Sequence, residues 1–174
     1  MQKNLAEEET LQYLAKQAIN GNDECFVKLC SSLKIKLFRT AKGVLGNEFL
    51  ALDAVSEAVF RAYKGIKKLR EPNYVETWFI RIILNVANDY YRRKKHEILV
   101  ESVPEKEYYD YHSELEFEQI IGILNPELRV IISLKYYSGY TLNEISNILG
   151  IPKGTVKSRL NKALNILRLE AENG

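Results

Sequence analysis

Tyr140 to Leu164 read YTLNEISNILGIPKGTVKSRLNKAL. Thr141 and Glu144 have the Thr-x-x-Glu spacing of a capping box, so a helix is expected to start there. Leu142, Ile145 and Leu149 give it one apolar face. Gly150 and Pro152 mark a turn, Ile151 plugs it, and Thr155 is placed to cap a second helix. Val156, Leu160, Ala163 and Leu167 follow at four-, three- and four-residue steps and form the inner face of that helix. Its outer face keeps Thr155, Lys157, Ser158, Asn161, Lys162 and Asn165. Short donors and cations at the N-terminal half of a second helix are what a helix-turn-helix lays into the major groove. The free amides at the start of such a helix also favour a phosphate. The alternative is the solvated face of a plain helical hairpin. The tight turn, the two caps and the basic face together favour DNA.

The same three- and four-residue spacing runs upstream. Glycine and proline are scarce, no stretch alternates apolar and polar for long, and the chain reads as all-α. Asp23 is placed to cap a helix that stops near Gly46, with Phe26, Leu29, Leu33, Leu37 and Val44 along one side. Asn47 starts the next helix. Pro72 interrupts the pattern, and Asn73 with Glu76 offers a capping-box entry into the longest helix, which is expected to end in the basic run Arg92 to His96. From Glu97 to His112 the text EILVESVPEKEYYDYH has a proline, several acids and no helical period, and reads as a linker. Periodicity resumes at Ser113. Asn125-Pro126 is a helix start and Gly139 a stop. The expected layout is two small helical domains, 1–96 and 113–174, joined by a flexible linker over 97–112.

The 174 residues are 46% hydrophobic with a formal net charge of +2. That supplies core for one ordinary domain or two small ones, and any basic partner surface must be local. Cys25 and Cys30 lie five apart on different helix faces, a poor geometry for a disulfide, and are expected to be small buried residues in a reducing compartment. No apolar run approaches the ~20 residues of a membrane span. The N-terminal MQKNLAEEETLQ has acids and no apolar core of the secretory kind, so a cytoplasmic protein without membrane insertion is expected.

The longest helix carries a second stripe. Val75, Phe79, Ile82, Ile83, Val86 and Tyr90 repeat as its core face. Opposite them Trp78, Arg81, Asn85, Asn88 and Arg92 recur at three- and four-residue steps, followed by Arg93 and two lysines. Arginine and asparagine read bases and phosphates, and an aromatic ring can stack on an unpaired base. Each member also has a plainer role: Trp78 as a packing anchor, Asp89 as an i,i+4 partner of Arg93, the basic end as a complement to the helix dipole. The preceding helix shows Asp53, Ser56, Glu57 and Arg61 beside apolar residues, either a solvated edge or a docking surface for a protein. No Gly-rich phosphate loop is present, and His96 and His112 stand apart from any metal-ligand spacing. The chain reads as a binder and not an enzyme, with no metal and no cofactor.

Three stretches resemble the extracytoplasmic-function sigma factors, the smallest members of the sigma-70 class. DAVSEAVFRAYKGI is similar to the core-binding helix of the family's region 2. TWFIRIILNVANDYYRRKK is similar to its minus-10 helix. YTLNEISNILGIPKGTVKSRLNKAL resembles the helix-turn-helix of region 4. The resemblance runs from about Asp23 to Leu169. It implies a region 2-like domain over 1–96 and a region 4-like domain over 113–174. It also implies binding to core RNA polymerase and to promoter DNA, with an anti-sigma factor as a further partner. Trp78, Arg81, Asn85, Asn88, Arg92 and Arg93 would then face the minus-10 element. Thr155, Lys157, Ser158, Asn161 and Lys162 would face the minus-35 element, and Asp53, Ser56, Glu57 and Arg61 the polymerase. Ser56 stands where the family usually has glutamine, and Leu50 and Leu52 where acids are common. The rival readings are a helix-turn-helix regulator that binds duplex DNA without polymerase, and a protein-only adaptor.

Overall fold

The structure, a computed structural model, describes residues 2–100 and 122–173, with side chains over 10–93 and 122–172. Among these residues there is no β-strand. The N-terminal unit comprises α1 (Gln2–Ile19), α2 (Asp23–Leu45), α3 (Glu48–Gly65) and α4 (Val75–Val100). Short 3₁₀ turns at Ile66–Lys68 and Pro72–Tyr74 join α3 to α4. The C-terminal unit comprises α5 (Pro126–Ile132), a π-helical turn over Ser133–Tyr137, α6 (Leu142–Leu149) and α7 (Lys153–Asn173).

Local chemistry sets most of these boundaries. Asn47 Oδ1 accepts from Leu50 N at 2.9 Å and opens α3. Asn125 Oδ1 accepts from Leu128 N at 3.0 Å, with Pro126 at the first helical position where its missing N–H costs nothing. Thr141 and Glu144 form the full capping box. Gly46 ends α2 at φ 71° and Gly150 ends α6 at φ 66°, a left-handed conformation that favours glycine.

Four boundaries differ from the sequence expectation. Asn22, not Asp23, caps α2 and accepts from Cys25 N at 2.9 Å; Asp23 becomes the first helical residue. The box of Asn73 and Glu76 does not open α4. Asn73 lies inside a 3₁₀ turn, and Glu76 Oε1 instead takes Lys36 Nζ at 2.7 Å and Tyr140 Oη at 2.8 Å. Thr155 lies within the first turn of α7, which starts at Lys153 with Val156 N bonded to Pro152 O. α4 continues past His96 to Val100. The rest of the expected linker, 101–112, and the resumption at Ser113 lie outside the described residues.

The core of the N-terminal unit is built on α2, whose Phe26, Leu29, Leu33, Leu37 and Val44 are all buried. α3 faces it with Ala51, Ala54, Ala58 and Ala62, each fully buried. Small residues at these steps let α3 approach closely. α4 contributes Val75, Phe79, Ile83 and Val86, while Ile82 and Tyr90 are half-buried. Residues on its other side, Ile80, Leu84 and Ala87, are buried as well. In the helix-turn-helix, Ile145, Ile148, Val156, Leu160 and Ala163 are buried, and Leu142, Leu149 and Leu167 only partly. Ile148, not assigned to the inner face by spacing, takes the place expected of Leu149. The two units share one continuous apolar core.

Candidate nucleic-acid interface

The outer face of α7 presents Lys157, Ser158, Asn161 and Lys162 to solvent, with Thr155 half-buried beside them. Ser158 Oγ donates to Thr155 O at 3.0 Å, so part of its hydrogen-bonding capacity is already committed within the helix. Arg159, on the flank, pairs with Glu127 at 3.0 Å and ties α7 to the start of α5. The two Lys heads and the Asn161 amide are thus held on a helix whose position is fixed by its buried flank and by the Arg159–Glu127 pair. That arrangement suits contact with a duplex backbone and a base edge.

The second face lies on α4. Arg81, Asn85, Arg92 and Arg93 are exposed, and Asn88 is half-buried. Trp78 is half-buried, with its ring edge-on to Phe79 at 5.3 Å and against Gly65, where a Cβ would lie 3.2 Å from the indole. It is therefore seated as a packing anchor with one part of the ring free. Asp89 does not pair along its own helix with Arg93. It meets Arg61 of α3 at 3.4 Å, because the α3–α4 packing brings that guanidinium across.

Arg81 is engaged as well. Its Nε donates to Ile148 O at 2.8 Å and its Nη2 to Asn147 O at 2.9 Å. These are carbonyls in the last turn of α6, where a helix has unpaired acceptors and a partial negative charge. Arg81, Asn85, Asn88 and Arg92 form one wall of a cleft of about 460 Å³, and the α5–α7 unit forms the other.

On α3, Arg61 Nε binds Glu57 at 2.7 Å, and Ser56 Oγ donates to Leu52 O at 3.1 Å. Bonds to Glu57 and then to Asp89 outweigh desolvation and hold the Arg61 guanidinium above its ordinary pKa. Asp53 and Ser56 are exposed. Alongside them stand Leu52 at 48%, Phe60 at 52% and Tyr63 at 50% exposure, an apolar stripe of which the sequence reading noted Phe60 and missed Leu52 and Tyr63 as exposed members. Its signal was present in the sequence as hydrophobics at a spacing the alanine face does not use.

Sequence reasoning also missed the residues that join the two units. Arg129 is 1% exposed. Ser133 Oγ donates to Thr40 O at 2.8 Å. Thr40 Oγ1 donates to Lys36 O at 2.8 Å, so the 2.8 Å contact with Ser138 Oγ has Ser138 as donor. Burial, and after it the Glu76 carboxylate, raise the Tyr140 phenol far above its usual range and keep it a donor. An arginine inside the apolar run LRVIISL was the one available sign. Among the described residues no cluster of His, Cys, Asp and Glu could hold a metal ion, and no helix is long and apolar enough to cross a membrane. The side chains of His96 and His112 lie outside those residues.

Comparison with known proteins follows this geometry. The profile of sigma-70 region 2 matches residues 29–97, and that of sigma-70 region 4 matches residues 120–169. The chain is 28% identical over 141 residues to the RNA polymerase sigma factor SigV of Bacillus subtilis, covering 79% of this chain and 85% of that one. It is 29% identical over 172 residues to the ECF RNA polymerase sigma factor SigW of the same organism, covering 88% and 92%. Among solved structures, CnrH in complex with the cytosolic domain of CnrY superposes with a TM-score of 0.76 at 22% identity, covering 94% of this chain and 98% of that one. The sigma factor RpoE in complex with the anti-sigma factor NepR, from Bartonella quintana, gives 0.60 at 20% identity, covering 82% and 95%. These two likenesses concern the fold.

Proposed function

We propose, from the premise that this chain belongs to the sigma-70 family, that it is a sigma factor of the extracytoplasmic-function kind. It binds core RNA polymerase and directs initiation at promoters through minus-10 and minus-35 elements. Its part is binding and not catalysis, and an anti-sigma factor, of the kind that RpoE of Bartonella quintana is solved with, is a further partner. The reading places it in the cytoplasm, where polymerase works.

The observation that carries this reading is the pairing of two different faces in one chain. The α7 face, with Lys157, Asn161 and Lys162 exposed, has the form of a duplex reader. The α4 stripe of Trp78, Arg81, Asn85, Asn88, Arg92 and Arg93 combines planar, amide and cationic groups, which suits an unpaired strand. A regulator of closed duplex has no use for the second. Opening a promoter loses stacking of roughly 1.4 kcal/mol per base-pair step, and contacts made only to the open strand offset it. Asp53, Ser56, Glu57 and Arg61 then belong to the polymerase-docking side on α3.

Run-off transcription with purified core polymerase tests the assignment. Promoter-specific transcripts that appear only when the protein is added support it. Tight duplex binding with no association with core would make the chain a regulator instead. Association with protein alone would make it an adaptor.

A further inference from the structure

The indole of Trp78, at the head of the polar stripe on α4, rests against a residue that has no side chain. Gly65 closes α3 at φ -101° and ψ -15°, a conformation open to any residue, so the backbone there does not require glycine. The requirement comes from the neighbour. A Cβ on Gly65 would lie 3.2 Å from Trp78 Cζ2 and 3.8 Å from its Cη2, and apart from the adjoining backbone it would meet no other described atom within 4 Å. The shorter distance is tighter than side chains ordinarily accept, so a methyl would displace the ring. Phe79, fully buried and edge-on to the indole at 5.3 Å, is a second fixed neighbour.

The contact bears on the functional edge of the ring, because Cζ2 is bonded to the carbon that carries Nε1. Among the described residues no acceptor bonds that N–H, and Nε1 is not one of their sealed, unpaired atoms, so it is open to solvent. An indole nitrogen only donates, and a buried one ordinarily finds its acceptor within the protein. Trp78 instead has an anchored carbon edge and a donor left over for a ligand. A ring already fixed in one pose also spares the entropy of ordering it when that ligand arrives.

We propose that Gly65 is a positioning residue for strand capture. Its missing side chain lets the Trp78 ring lie against the end of α3, and that seat holds the Nε1–H at the surface for an acceptor oxygen of an unpaired strand. Gly65 itself touches no nucleic acid. The inference rests on the sigma reading for what Trp78 meets; the seat rests on the contact.

Trp78 is the one tryptophan of the chain, so intrinsic emission reports this ring alone. Gly65→Ala adds a methyl at a helix end where alanine is favoured, so the strain falls on the indole. Emission of the free variant should shift to the red and become easier to quench with acrylamide, at unchanged helical circular dichroism. Strand capture is read with the full chain bound to core polymerase, by anisotropy of a fluorescein-labelled single strand from a promoter found in run-off transcription. Gly65→Ala should bind that strand about three- to tenfold more weakly, a part of what one base held on an aromatic ring contributes. In a Trp78→Leu background the same methyl should cost nothing further, since the ring it acts through is gone. Unchanged emission, unchanged strand affinity, or an equal loss in the Trp78→Leu background each overturns the proposal. Should Gly65→Ala lose helical content instead, Trp78→Leu should restore it, and no restoration overturns the seat. A wild-type chain that takes up no strand overturns the sigma reading and strand capture together. A wild type that binds strand no better than Gly65→Ala overturns the proposal alone.

Discussion

The guanidinium carbon of Arg129 sits 3.4 Å from the centroid of the Tyr91 ring, so a side chain from α5 lies flat on one from α4. Its Nη2 donates to Leu124 O at 2.9 Å and its Nη1 reaches Val44 O at 3.5 Å, while Nε has no partner. Among the described residues no carboxylate pairs with it. Burial lowers its pKa and Tyr91 opposes that shift, yet an arginine stays charged in a protein. The stack and the forked donors are what offset the desolvation. Lysine has neither, so Arg129→Lys should lower the unfolding free energy by about 1–3 kcal/mol in urea titrations. Arg129→Met keeps the volume and removes the charge, and should lose less. A lysine variant as stable as wild type would rule out the planar stack as the source.

Phe60 on α3 is half exposed with Lys64 Nζ 4.0 Å above its ring. Ser56, one turn before, has its hydroxyl bonded back to Leu52 O. If this side docks on polymerase, the energy resides in the apolar stripe. Phe60→Ala should weaken binding to core by on the order of 1–2 kcal/mol, and Ser56→Ala by less than about 0.5 kcal/mol. Competition against a labelled wild-type chain measures both. Equal losses would return the docking role to the polar edge.

Cys30, expected to be buried like Cys25, is only half-buried, and that partial burial pushes its thiol up from 9.0 to about 11. Below the lower value the thiol is protonated in both folded and unfolded chains. Between the two values only the unfolded chain ionises, so the stability from this group is present below pH 9 and is lost as pH rises through about 11. Iodoacetamide should modify Cys30 slowly at mildly alkaline pH in the folded chain and rapidly once urea unfolds it. Fast labelling of Cys30 in the folded chain at neutral pH would contradict its partial burial.

The helices were legible because their signals are local. Asn47, Asn125 and the Thr141–Glu144 box act on backbone groups three residues away, and spacing alone identifies them. Asn22 and Asp23 are both competent caps, and only the backbone, extended at Asn22, chooses between them. Asp89 shows where locality ends. Arg93 is its neighbour on paper, but the packing of α3 on α4 delivers Arg61. The contact of α2 with the C-terminal unit lies wholly beyond such reading. Gly43 and Ser133 are ordinary residues in their own helices, and nothing in either segment announces that they meet. The α4 and α7 residue sets were proposed from spacing, yet the bonds of Arg81 to the end of α6 depend on the same long-range packing.

On α7, Asn161 and Lys162 are adjacent and exposed but chemically distinct. An amide can pair with a base edge, whereas an ammonium serves best on phosphate. Asn161→Ala should cost about 1–3 kcal/mol at a minus-35-type site and little elsewhere. Lys162→Ala should weaken every sequence alike and flatten the slope of log affinity against log salt by about one unit. Titrations at several salt concentrations on matched and scrambled duplexes separate the two. Sequence-blind losses for both would make Asn161 a backbone contact.

Arg81 and Asn85 lie one helical turn apart on α4 and should fail in different ways. Arg81 bonds the carbonyls of Asn147 and Ile148, so Arg81→Ala changes the seating of the C-terminal unit as well as removing a cation from the strand face. Asn85 is exposed, and among the described residues no hydrogen bond ties it to the other unit. Asn85→Ala should therefore leave compaction, core binding and closed-complex formation unchanged. Its loss should appear only when bases unpair, as reduced permanganate reactivity near the start site and fewer transcripts from duplex promoters. A template melted in advance removes the stacking cost that those contacts offset, and should restore much of the transcription. The loss on duplex should reach about 1–3 kcal/mol if the amide engages one base. Normal melting by the Asn85 variant would remove that residue from the site. A defect that persists on the pre-melted template would place its role after strand opening.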